Sequence, residues 1–122
     1  MICDHIRDSD ELKLLYYKRP MPNQYDWDFL INNPNLFCFY DEKSGKLRGY
    51  ITVQREGGKL TLSGASYRKN LADNVNAIVM VCNAFNEDMY SFTKVKPAKI
   101  CLLKAGFKHI KGDMYIRRKE NG

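Results

Sequence analysis

The chain is predicted to fold as an α/β protein of the α+β kind. The expected architecture is a central mixed, mostly antiparallel sheet of about six to seven strands flanked by about four helices. Three observations predict this. Between Leu36 and Ala65 the apolar pattern has a period of two and is interrupted by short glycine-bearing turns. Between Leu71 and Phe85 apolar residues recur at three- and four-residue steps. The chain has 122 residues, 44% of them hydrophobic, which is long enough for one core and too short for two, so a single domain over residues 1–122 is expected.

Ile2 to Ile6 suits a short first strand. Asp8-Ser9-Asp10-Glu11 then matches a capping box, with Asp8 as N-cap and Glu11 reaching back from the third helical position. Leu12, Leu15 and Tyr16 form the buried stripe of the helix that follows, which runs to about Lys18 and is stopped by Pro20 and Pro22. Asp26 can cap a second short helix whose Trp27, Leu30 and Ile31 share a face. Asn32-Asn33-Pro34 closes it, because the residue before proline avoids helical geometry. Trp27 reads as a core or groove-wall aromatic.

Leu36 to Tyr40 is an apolar run that reads as a strand covered on both faces. After a turn at Lys43-Ser44-Gly45-Lys46, the strand Leu47 to Glu56 sets Leu47, Gly49, Ile51 and Val53 on one face against Arg48, Tyr50, Thr52 and Gln54 on the other. Gly57-Gly58 supplies the positive φ that a two-residue hairpin turn demands, and Lys59 to Ala65 returns as a third strand. The next helix presents Leu71, Val75, Ile78, Val79, Cys82 and Phe85 as its apolar face, with Asn70, Asp73, Asn74 and Asn76 among its polar residues. A β-rich segment, Met89 to Val95, follows. Pro97 suits the first turn of a last helix through Ile100-Cys101-Leu102-Leu103-Lys104, which ends at Gly106. Phe107 to Ile110 and Met114 to Arg118, joined by Lys111-Gly112-Asp113, give a closing hairpin whose edge strand could pair subunits into a homodimer. Internal repeats and low-complexity tracts are absent.

The formal charge of +6 is concentrated at the C-terminal end. From Thr93 to Gly122 there are nine Lys or Arg against two Asp or Glu, while residues 1–92 carry eleven against twelve. A field of that kind attracts anionic ligands, although no named RNA- or DNA-binding motif accompanies it and nucleic acid is not the expected partner. Cys3, Cys38, Cys82 and Cys101 are widely spaced, with no Cys-x-x-Cys pair and no cysteine–histidine cluster. They read as reduced core thiols and no metal is expected. Residues 1–10 alternate charged and apolar side chains and suit neither a signal peptide nor a membrane span, so a cytoplasmic setting without a membrane is expected.

Ala98-Lys99-Ile100-Cys101-Leu102-Leu103-Lys104-Ala105-Gly106-Phe107 resembles the closing segment of the GNAT family of acyl-CoA-dependent N-acetyltransferases, alanine-x-x-leucine-tyrosine-x-lysine-x-glycine-phenylalanine. The opening Ile6-Arg7-Asp8-Ser9-Asp10-Glu11-Leu12 is similar to that family's first strand and helix, and the order of elements matches over nearly the whole chain. The resemblance implies that acetyl-CoA or coenzyme A sits in a splay between the strand at 59–65 and the strand at 89–95. It assigns the pantetheine arm to strand amides at Ser63, Gly64 and Ala65, and the pyrophosphate to the turn and helix start at Arg68, Lys69, Asn70, Leu71, Ala72 and Asp73.

Against the family's phosphate loop, arginine or glutamine-x-x-glycine-x-glycine or alanine, this chain departs at two places. Leu71 stands for the first glycine and Asp73 for the second small residue. The tyrosine that protonates the departing thiolate falls at Leu102, and the asparagine near the last helix falls at Val95. Leucine has no proton to donate. Tyr90, Tyr115 and Tyr67 are the remaining candidates for a general acid, each with a packing role as the simpler reading. His5 and His109 stand without ligand-spaced partners. Three functions therefore follow: an N-acyltransferase acting on an unknown small-molecule or protein amine, a catalytically inactive binding or assembly module of the same fold such as phage or mobile elements encode, and, behind both, a nucleic-acid-binding domain.

Overall fold

The computed structural model describes residues 1–18, 26–67 and 70–119. Seven strands form one sheet in the order β1-β2-β3-β4-β5-β7-β6. The elements are β1 (Ile2–Asp4), α1 (Ser9–Lys18), α2 (Trp27–Ile31), β2 (Leu36–Tyr40), β3 (Leu47–Glu56), β4 (Lys59–Ser66), α3 (Leu71–Asn83), β5 (Met89–Phe92), α4 (Lys96–Lys104), β6 (Lys108–Lys111) and β7 (Met114–Arg117). Strands β4 and β5 pair in parallel, whereas β1–β2, β2–β3, β5–β7 and β6–β7 are antiparallel. The residues divide into two compact units, Met1–Thr52 with Gly64–Lys69, and Val53–Ser63 with Asn70–Gly122.

In the first unit, Leu12, Leu15 and Tyr16 of α1 are buried as their spacing predicts, and they join Leu30, Leu36, Cys38, Tyr40, Leu47 and Tyr50 in one cluster. Trp27 packs against it, its ring edge-on to Tyr16 at 5.4 Å. Asp8 caps α1, its Oδ1 accepting from Asp10 N at 2.9 Å. Glu11 does not complete the box. Its Oε2 accepts instead from Leu47 N at 2.8 Å, because the start of β3 offers a backbone donor that would otherwise lack a partner. The first strand stops at Asp4, short of Ile6, and the prolines proposed to end α1 lie outside the described residues.

Both faces of β3 are covered at its middle, where Tyr50 and Thr52 are as buried as Ile51 and Val53. Gly64 is required in β4 by close approach. A Cβ there would stand 2.2 Å from the Tyr50 carbonyl oxygen, closer than any real contact.

In the second unit, Gly57 (φ +54°) and Gly58 (φ +80°) form the tight β3–β4 turn. The helix α3 begins at Leu71 with Asn70 as its N-cap. Its buried residues are Ala77, Val81 and Cys82, while Val75, Ile78 and Val79 are half-buried and Leu71 is 39% exposed. The apolar face read from the sequence is thus turned toward Ala77 and Val81. Helix α4 packs against α3, where the Asn74 side chain meets Cys101. Phe85 lies beyond the helix, which ends at Asn83.

Strand β5 spans Met89–Phe92 and does not reach Val95, which instead caps α4. Pro97 sits in the first turn of α4, where its missing N–H costs nothing. Gly106 has φ +98°. Phe107 N donates to Leu102 O at 3.0 Å and Gly106 N to Leu103 O at 3.2 Å, the paired bonds of a Schellman stop. The buried Arg117 adds a third closure, its Nε donating to Ala105 O at 2.8 Å against the negative end of the helix. A Cβ on Gly106 would lie 3.3 Å from that same Nε, so the glycine serves both its own φ and the arginine's seat.

Candidate functional site

The β4–β5 junction is built inside the second unit. The parallel ladder joins Leu60 with Met89 and Thr61 with Tyr90. One residue further on, the Ser91 hydroxyl donates to the Leu62 carbonyl at 2.8 Å in a buried position. A side chain thus bonds across the two strands just past the last ladder pair. The sequence signal for Ser91 is slight, a single hydroxyl between Tyr90 and Phe92, and the residue escaped the sequence analysis.

At the start of α3, Asn70, Leu71, Ala72 and Asp73 are brought together in one turn. Arg68 and Lys69, the cations expected beside them, lie outside the described residues. The Asn70 side chain accepts from Asp73 N at 3.1 Å, so one of the helix's first amides is already taken from within. Asn followed three residues later by Asp is a cap signal that the sequence carries. The Asp73 carboxylate lies in the same turn, where it complements the helix dipole with the charge a bound phosphate would bring. Leu71 puts a half-exposed side chain where a close backbone approach needs glycine. Among the described residues of this turn, a self-capped amide, a carboxylate and a leucine work against the approach of a diphosphate.

Ser63, Gly64 and Ala65 are half-buried residues of β4. Tyr90 and Tyr115 are not brought together: Tyr90 pairs with Ile116 and Tyr115 with Ser91, so the two side chains point to opposite faces of the sheet. Tyr115 is 5% exposed, with His109 against its ring at 5.1 Å. His109 Nε2 donates to the Gly112 carbonyl at 2.7 Å, within the turn of its own hairpin. Tyr90 is half-buried and carries the Lys59 ammonium 5.7 Å from its ring centroid. In the first unit, Tyr67 carries Lys18 in the same way at 5.6 Å and packs against the core cluster. Leu102, at the general-acid position, is 3% exposed and part of the packed face of α4.

The buried thiols are poor nucleophiles. Burial pushes Cys82 up to about 11, with the Arg117 charge pulling the other way. Burial also raises Cys101, opposed by a hydrogen bond with the Asn74 side chain on α3. Both stay protonated at neutral pH. All four cysteines are free, and Cys3 alone is exposed. Among the described residues no group of His, Cys, Asp and Glu could hold a metal ion, and no helix is long and apolar enough to cross a membrane.

No protein-family model matches the sequence, and no curated protein sequence matches it. Two solved structures share its architecture. One is a candidate acetyltransferase of Sphaerobacter thermophilus DSM 20745, 11% identical, with a TM-score of 0.62 over 93% of this chain and 89% of that one. The other is a GNAT-family acetyltransferase of Bacillus anthracis, 14% identical, with a TM-score of 0.61 over 93% and 84%. At these identities the likeness is one of fold. The chain is an α+β protein with a mostly antiparallel seven-stranded sheet and four helices among its described residues. That fold is GNAT-like.

Proposed function

We propose that this chain is a GNAT-like binding or assembly module that does not carry out acyl transfer. One observation carries the reading: the first turn of α3 caps itself through Asn70 and adds the Asp73 carboxylate where a coenzyme's diphosphate would need free amides. The buried Leu102 at the general-acid position agrees with it. Acyl transfer to an amine needs a polarised thioester and a protonated leaving group, and the leucine at the general-acid position has no proton to give. The module works in a cytoplasmic setting in which its four thiols stay reduced. Isothermal titration with acetyl-CoA and with coenzyme A tests this. The expected result is no saturable heat at high micromolar ligand; saturable binding would sink it.

A second reading is an N-acyltransferase acting on an unknown amine. It is favoured by the junction at Leu62 and Ser91, where the parallel ladder gives way, and by the two acetyltransferase structures of the same fold. Release of free thiol from acetyl-CoA in the presence of an amine panel would establish it, and Leu71→Gly with Asp73→Gly would then raise the affinity.

A further inference from the structure

The outward face of α4 is neither buried by its own unit nor built as an ordinary solvated surface. On a nine-residue helix, Ile100 is 40% and Leu103 52% exposed, while Cys101, Leu102 and Ala105 face inward. At the helical period Ile100 and Leu103 lie side by side on that outward face, with Lys96, Lys99 and Lys104 flanking them. Strand β6 runs next to the helix at the sheet's edge and adds Lys108 and Lys111, both exposed. None of these five lysines pairs with a described carboxylate, whereas Lys94 reaches Asp113 and Arg118 reaches Asp88. Two exposed apolar side chains with five neighbouring lysines on α4 and β6, none paired among the described residues, suit a partner that brings both apolar area and negative charge.

We propose that the α4–β6 face docks an acidic amphipathic helix of a partner protein. This deepens the module reading and rests on it. Charge complementarity selects the occupant. A second copy of this chain would meet the face with like charge, since the chain carries +6 overall and its first 92 residues supply only a surplus of one acidic group. A nucleic acid would satisfy the lysines but set Ile100 and Leu103 against phosphates. An anionic lipid surface is served by a long amphipathic helix, and α4 offers only two apolar side chains over nine residues. An acidic helix fills both demands: its apolar stripe covers Ile100 and Leu103, and its glutamates meet the lysine rim. The contact is small, so binding is weak and salt-dependent.

The test uses the full chain, isotopically labelled, and a synthetic helical peptide of about 15 residues made of Glu, Leu and Ala with one apolar stripe. Saturable shifts should centre on the amides of Lys96 to Lys111, and Ile100→Ser with Leu103→Ser should weaken binding about tenfold or more. Lys96→Glu with Lys104→Glu should abolish it, while Leu14→Ser, on the exposed face of α1, should leave it unchanged. A polyglutamate of equal length that binds as well as the peptide would overturn the proposal, as would tighter binding of duplex DNA or of phosphatidylglycerol vesicles, or no binding at all. Acetyl-CoA titrated into the same sample reads the module hypothesis separately. Coenzyme binding would refute that hypothesis whatever the peptide does, and loss of the peptide signal alone would refute the docking face.

Discussion

The start of α3 and the end of α4 are two helix ends of the second unit, and they are closed in different ways. At the end of α4, backbone and side chain together close the helix: Gly106 at positive φ, the paired bonds from Gly106 and Phe107 back to Leu103 and Leu102, and Arg117 closing on Ala105. At the start of α3, the helix is capped from within, with Asn70 holding one of its first amides, that of Asp73. The difference separates what a fold needs from what a reaction needs. A helix stop is held by packing and backbone bonds that the whole unit depends on, whereas a phosphate loop matters only while a phosphate binds it.

If the comparison is right, substitutions at the two ends should differ in cost. The largest effect is expected from Phe107→Ala, which removes a side chain only 2% exposed and should destabilise the chain by about 3–5 kcal/mol in a denaturant melt. Alkaline titration comes next. The neutral Cys82 thiol is favoured in the folded state, so its contribution is complete below its ordinary 9.0 and is lost as pH rises toward about 11. Tyr50 behaves likewise between 10.0 and about 12. Stability measured from pH 8 upward should therefore fall through that window, and Cys82→Ala should flatten the first part of the fall. Asn70→Ala, which frees the Asp73 amide, should cost about 1 kcal/mol by the same melt. Leu71→Ala should stay within about 0.5 kcal/mol, because its side chain is substantially exposed. A costly Leu71→Ala beside a mild Phe107→Ala would break the comparison.

The parts of this fold legible in the sequence are those fixed by one or two residues. Pro97 and Gly106 bound α4 because each constrains its own backbone, and Gly57-Gly58 marks its turn for the same reason. The buried stripe of α1 is legible because Leu12, Leu15 and Tyr16 meet a single cluster. The facing of α3 is not, since the burial of Ala77 and Val81 depends on which elements pack against the helix and not on its own period. The expected role of Glu11 failed in the same manner, because the competing donor, Leu47 N, arrives from a residue 36 positions away. At the candidate site, Leu71, Asp73 and Leu102 are departures from the GNAT pattern that the sequence itself displays. The spacing of Asn70 and Asp73 hints at the cap, whereas the roles of Ser91 and Arg117 are visible only in the hydrogen bonds they make.

The most direct test of the central claim is to follow the backbone amides of Leu71, Ala72 and Asp73 by nuclear magnetic resonance while coenzyme A is added to about millimolar. The account predicts that Asp73, held by Asn70, does not shift and that Leu71 and Ala72 show no saturable change. Saturable shifts at these three amides, with release of the Asn70 cap, would contradict it.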